Sequence, residues 1–164
     1  MKDIDPALVK PPYQEKTLQL HGDASRKVYW NDVEVPFPEG KLIVSRTDTN
    51  GVITHCNQAF VDMSGYTREE LIGQPQSILR HPDVSKAAYA DLWKTLQEGR
   101  KWQGYLKNLR KDGSFYNVLA VVVPNLRDGE VVGYSSVRRR PSRRKMDEAL
   151  QLYAEQIKTE TPAS

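Results

Sequence analysis

Three groups of residues in this 164-residue chain carry side chains able to hold a ligand. The first is Arg80-His81-Pro82-Asp83, opposite charges set around an imidazole. An arginine in such a segment can clamp a pyrophosphate through charge-assisted bonds. The plainer use is a turn with a surface ion pair, His81 serving as a cap or turn residue. The second group lies on a strand-like run that begins at Trp102, where Trp102, Gly104, Leu106 and Asn108 share one face. If that face is packed, the Asn108 amide enters an apolar site, at about 1 to 3 kcal/mol unless it finds partners. A flat ring with carbonyl and imide groups would supply them, with Trp102 stacking on it and Gly104 leaving room. A core Trp beside an Asn bonded to backbone is the other reading. The third group is His55 and Cys56. A lone histidine can fix a haem iron, which makes His55 and His81 candidates, although the plainer reading of each is an ordinary strand or turn residue. Cys56 is the only cysteine, so an internal disulfide and a cysteine-cluster metal site are excluded. The chain has no phosphate-binding glycine loop, Gly-x-Ser-x-Gly elbow, His-Glu-x-x-His pair or kinase ATP-binding motif, and it reads as a binder, not an enzyme.

These residues need a scaffold. Leu42-Ile-Val-Ser-Arg-Thr47 and Val52-Ile-Thr-His-Cys56 are β-branched runs around Asn50-Gly51, which predicts a hairpin. Phe60 and Met63 precede Gly65, and Thr67-Arg-Glu-Glu70 offers a capping box before Gly73, predicting two short helices. Asn57 stands ahead of the first, able to cap it or to reach a ligand. Tyr89, Leu92, Trp93 and Leu96 fall at i, i+3, i+4 and i+7 between Ser85 and Gly99, the pattern of one amphipathic helix. Residues 102–110, 115–123 and 131–138 then read as strands joined through Asp112-Gly113 and Asp128-Gly129. Val118 to Val123 is apolar on both parities, which places that strand centrally with both faces covered. Two strands, helices and three more strands predict an α+β domain, a five-stranded antiparallel sheet with helices packed on one face.

Hydrophobic residues at 38%, charged residues at 27% and a mean hydropathy of −0.64 describe a soluble chain with one core. No apolar run nears the roughly 18 residues of a membrane span, and Met1 to Lys10 lacks a signal peptide's regions, so the cytoplasm is the expected location. Residues 1–34, with Pro6, Pro11 and Pro12 and no apolar period, read as an extended or loosely packed arm, and residues 35–140 as the domain. Residues 141–164 read as a basic linker and an amphipathic helix with Met146, Leu150, Tyr153 and Ile157 in a heptad-like stripe. That stripe is too short for a coiled coil by itself, and a homodimer through this helix or the N-terminal arm is expected. The basic run Arg138 to Lys145 interleaves no aromatic residue and reads as a solvated linker, not a nucleic-acid surface.

Thr54-His-Cys-Asn-Gln-Ala-Phe60, Ser64-Gly-Tyr-Thr-Arg-Glu-Glu-Leu-Ile-Gly-Gln-Pro75 and Arg80-His-Pro-Asp83, in this order of strands and helices, resemble the PAS sensor family. Arg80 to Asp83, Ala87 to Trp93, Trp102-Gln-Gly104 and Lys107 to Gly113 are similar to the flavin-binding PAS domain of bacterial aerotaxis receptors, from about Val35 to Arg140. The resemblance implies a PAS fold that holds FAD non-covalently. The flavin's redox state would report oxygen or electron-transport status to a signalling partner such as a chemoreceptor or kinase module. It implies Asn57, Arg80, His81, Asp83, Trp93, Trp102 and Asn108 as cofactor-binding residues. Two positions depart from the pattern: Asn117 stands where those receptors tend to carry Trp, and Val121 where a pocket Asn is usual. Neither a membrane anchor nor a methyl-accepting region is visible, so a solitary or excised sensor is expected. Gln76 to Asp83 contains no Cys and Cys56 lies on a strand, so photochemistry through a cysteine adduct is not expected. Haem remains an alternative ligand, and a protein-interaction module with an empty or self-filled pocket an alternative function.

Overall fold

The structure, a computed structural model, describes residues 1–20 and 24–160. Strands β1 (Gln14–Gln19) and β2 (Ser25–Trp30) form a two-stranded antiparallel sheet. They are followed by β3 (Ile43–Thr47), β4 (Ile53–Cys56), α1 (Gln58–Ser64), α2 (Arg68–Leu71), a 3-10 turn (Gln76–Leu79) and α3 (Lys86–Gln97). Then come β5 (Trp102–Leu109), β6 (Phe115–Arg127), β7 (Glu130–Arg139) and α4 (Arg143–Thr159). The main sheet is antiparallel in the order β4-β3-β7-β6-β5. The apolar run of β6 is interior as expected, while the middle place falls to β7, because the β3–β4 hairpin adds on that side. The β6–β7 turn is Asp128-Gly129, both at positive φ (51° and 81°), which matches the twist of the flanking strands.

Register fixes one face of the sheet. Trp102, Gly104, Leu106 and Asn108 stand opposite Val122, Ala120, Val118 and Tyr116; Ala120 and Val122 in turn oppose Arg138 and Ser136, which oppose Ile43 and Ser45. This inner face packs with Phe60 and Met63 of α1, Leu71 of α2, Ile78 and Leu79 of the 3-10 turn and Leu96 of α3, all buried. Local signals explain the helices: Asn57, Thr67 and Ser85 each accept a backbone N–H at a helix start, and Thr67 with Glu70 completes a capping box.

The opposite face carries α4. Met146 is buried and lines a cavity with Asn117 of β6, and the Tyr153 hydroxyl donates to the Tyr105 carbonyl of β5 at 2.7 Å. Beyond it, the Ser85 hydroxyl donates to Gln156, and the Glu160 carboxylate accepts the Lys86 backbone N–H, which ties the end of α4 to the start of α3. The basic linker is shorter than expected, since Arg143, Arg144 and Lys145 are the first turn of α4.

The described part of residues 1–34, 1–20 and 24–34, is not an extended or loosely packed arm. Ile4, Val9, Leu18, Val28 and Trp30 are buried together against Leu109 of β5, a second small core. Backbone bonds from Asn31 to Gly113, from Phe115 to Val33 and from Val35 to Phe115 stitch the segment to the main sheet. The apolar residues responsible are spread over 27 positions and two strands, so no short window reveals them.

Candidate functional site

The inner face is where the packing leaves chemistry undone. Asn108 is 5% exposed, and its Nδ2 has no hydrogen-bond partner. Directly across on β6, the Tyr116 hydroxyl is fully buried and faces the Asn108 amide, close enough to feel it yet without a well-formed hydrogen bond. On β7, Arg138 donates from Nη2 to the Ser45 hydroxyl at 3.1 Å while Nη1 has no partner, and its guanidinium centre lies 5.1 Å from the Phe60 ring centre. Burial pushes the Tyr116 phenol pKa up and the Arg138 pKa down. Native proteins pair the great majority of buried polar groups. Here three orphans share one face, and all three can donate. Trp102 closes the far end: its indole N–H donates to Asp91 of α3 at 3.0 Å, and its ring crosses Gly104, where any Cβ would clash with it.

The other expected site residues are placed differently. Asn57 is consumed locally: Oδ1 accepts from Phe60 and Val44, and Nδ2 donates to Leu42. Arg80 bridges Asn108 through backbone, while its guanidinium lies 4.2 Å from the Tyr89 ring centre. His81 is fully buried, edge-on to Trp30 and Phe115. Its Nδ1 accepts the Asp83 N–H, so the neutral ring carries its proton on Nε2, and burial holds its pKa down to about 3. Asp83 accepts from Lys107 at 2.7 Å, and Lys107 lies 4.0 Å from the centre of the Phe115 ring. Arg80 to Asp83 thus wraps the β5 edge against the N-terminal hairpin. Trp93 is 37% exposed and packs edge-on to Tyr134 near Gly51.

Asn117 and Val121, where the sequence departs from the aerotaxis pattern, have the opposite strand parity to Tyr116 and Ala120 and belong to the α4 side of the sheet. Tyr116 and Arg138 were not among the sequence candidates. Strand alternation would have placed Tyr116 beside Asn108, whereas Arg138 was hidden in a basic run whose other members are exposed.

The sequence and the fold both have relatives among known proteins. The chain is 46% identical to the aerotaxis receptor of Escherichia coli K12 over 112 residues, 68% of this chain and 22% of that protein. It is 30% identical to the nitrogen fixation regulatory protein of Klebsiella pneumoniae over 102 residues, 62% of this chain and 21% of that one. The chain thus spans about a fifth of the length of these curated relatives. Among solved structures, the LOV domain of the blue-light photoreceptor Aureochrome1 superposes with a TM-score of 0.59 at 24% identity, covering 70% of this chain and 91% of that one, a likeness of fold. No described helix is long and apolar enough to cross a membrane. The model of the PAS fold matches residues 43–141, more than half of the sequence and all of the strands that build the inner face, and the chain belongs to the PAS family.

Proposed function

We propose that this chain is a flavin-binding PAS sensor that holds FAD on the inner face and reports redox or oxygen status to a protein partner. The observation that carries the reading is the set of buried, unpartnered donors Asn108 Nδ2, Tyr116 OH and Arg138 Nη1 on one wall. A flavin ring presents carbonyl oxygens and unprotonated ring nitrogens on either side of one imide N–H, and the oxygens and unprotonated nitrogens are acceptors that match those donors. When bound, the flavin would supply reversible electron uptake. The protein's part is to bind and orient: Asn108 and Tyr116 donate to the polar edge, Trp102 flanks the ring in a pose set by Asp91, and Phe60, Leu106 and Val118 exclude water. Arg80, at the β5 edge, is the residue suited to the pyrophosphate that distinguishes FAD from a mononucleotide.

The 46% identity to an aerotaxis receptor supports a signalling role, with a chemoreceptor or kinase module as the partner class and no catalytic step. The α4 helix suits the output, because it crosses strands whose other face carries the donors and is tied to α3 at its far end. A second copy of the chain is a further proposed partner, checked by sedimentation. The stripe residues Met146 and Tyr153 are buried within the chain itself, which leaves Leu152 as the large exposed apolar residue of α4. Haem is disfavoured: His55 is exposed beside Thr54, and the unpartnered Nε2 of His81 is enclosed with Trp30 and Phe115, away from the inner face.

The test is native purification with an absorption spectrum, then denaturation and chromatography of the released cofactor. Released FAD is the expected result. A haem spectrum, or protein that stays colourless after incubation with excess FAD, sinks the reading in favour of an interaction module.

A further inference from the structure

We propose that Arg138 sets the charge preference of the inner face, making it a site for an acceptor-rich ring that gains negative charge against the guanidinium. This rests on the flavin reading and adds to it a bias between oxidation states. Arg138 is 3% exposed, yet among the described residues it makes no ion pair. Its partners are one hydroxyl, Ser45, and the face of Phe60. Neither neutralises a cation, and a guanidinium taken out of water without a counter-charge is destabilising. The fold uses it only through Ser45, whose hydroxyl donates on to Gln76 Oε1 of the 3-10 turn at 3.3 Å; its cross-strand neighbours Ile43 and Ala120 are apolar, and an apolar side chain of similar length would fill the space. Tyr116, the titratable group felt by Arg138, is neutral at ordinary pH because burial raises its pKa further.

The two other orphans on this wall are neutral donors, sufficient for a neutral ring with carbonyl groups. The cation becomes useful when the ring turns anionic. A reductant of the dithionite class delivers two electrons, and one proton comes from solvent. The sum is one net negative charge on the flavin, with no covalent change in the protein. The inner face should therefore bind the reduced ring more tightly than the oxidised one, and Arg138 should account for that difference.

The experiment is anaerobic dithionite titration of the FAD-loaded chain against an indicator dye of known potential, for wild type, Arg138→Lys and Arg138→Met. Fluorescence quenching gives the affinity of each variant for oxidised FAD. In Arg138→Met the preference for reduced over oxidised flavin should fall at least tenfold, about 30 mV lower in potential for a two-electron couple. Arg138→Lys should retain most of the preference. A folded, FAD-loaded Arg138→Met protein with wild-type or raised potential overturns the proposal. If that variant does not fold, Arg138→Gln serves in its place: it keeps a donor and removes the charge, so the same drop is expected and an unchanged potential overturns the idea. Wild-type protein that takes up no FAD removes the flavin reading and this inference together, a result distinct from a loaded protein whose potential ignores Arg138.

Discussion

Two arginines in this molecule are buried to nearly the same degree and used in opposite ways. Arg26, in the N-terminal hairpin, is 2% exposed and donates to the Lys2 carbonyl at 2.8 Å, the Ile78 carbonyl at 2.7 Å and the Tyr66 hydroxyl at 2.8 Å. It ties the hairpin to the 3-10 turn and to the connection between α1 and α2. Arg138, on the inner face, has one hydroxyl and one aromatic face and leaves a donor unused. Burial alone therefore does not mark a ligand site. Where each donor meets an acceptor, the charge holds the fold together; where buried donors converge without acceptors, their pairing is open to a ligand. The same contrast separates the β5 edge, where Asp83 and Lys107 pair, from the wall of Asn108 and Tyr116.

The largest expected effect breaks or upholds that distinction. Arg26→Met strips three acceptors of their donor and should lower unfolding free energy by roughly 3 to 5 kcal/mol in urea titration. Arg138→Met, measured without ligand, should change it by no more than about 1 kcal/mol or raise it, as replacements of buried charges by apolar residues often do. Equal losses in the two variants would erase the difference between the arginines.

The next effect is a pH dependence. His81 is held at a pKa of about 3 when folded and returns to its ordinary 6.5 when unfolded. The unfolded chain therefore takes up a proton that the folded chain refuses. This stability is fully present above pH 6.5 and is lost as pH falls below it, at about 1.4 kcal/mol per pH unit. Asp83 and Glu70, whose folded pKa values are lowered, lose stability only below the ordinary carboxylate range. Between about pH 5 and 6.5 the slope thus belongs to the imidazole, and His81→Phe should flatten it. A His81→Phe protein with the wild-type slope there would place the acid sensitivity elsewhere.

The smallest effects sharpen the contrast within one residue type. Trp102→Ala removes the ring that flanks the proposed site and should weaken FAD binding by about 1 to 3 kcal/mol in fluorescence titration. Trp93→Ala alters a half-exposed contact with Tyr134 and should change binding by under about 0.5 kcal/mol. Comparable losses would move Trp93 into the binding wall.

Much of this arrangement was legible in the residues. Alternation and the Asp-Gly turns located β5, β6 and β7, and parity alone put Trp102, Gly104 and Asn108 on one face, because a strand has only two faces to offer. Capping chemistry placed α1, α2 and α3 for the same local reason. What escaped was non-local. Trp30 and Val9 pack on Leu109 from far away in sequence, so the hairpin core left no periodic trace. Arg138 and Arg139 look alike in a basic run, yet neighbours on a strand point to opposite faces, and one is buried while the other is exposed. Arg80, His81 and Asp83 form a charged turn in sequence, and only packing reveals that His81 and Asp83 are engaged by Trp30, Phe115 and Lys107.

The central claim is that the unpartnered donors of the inner face belong to a ligand and not to the fold. Calorimetric titration of FAD into wild type, Asn108→Leu and Tyr116→Phe, with the melting temperature of each ligand-free protein, tests it most directly. Each substitution removes a donor that the ligand-free protein leaves unsatisfied, so affinity should fall at least tenfold, about 1.4 kcal/mol, while the ligand-free melting temperature holds or rises. Wild-type affinity in both variants, or losses of melting temperature that track the losses of binding, would contradict the claim and return Asn108 and Tyr116 to the core.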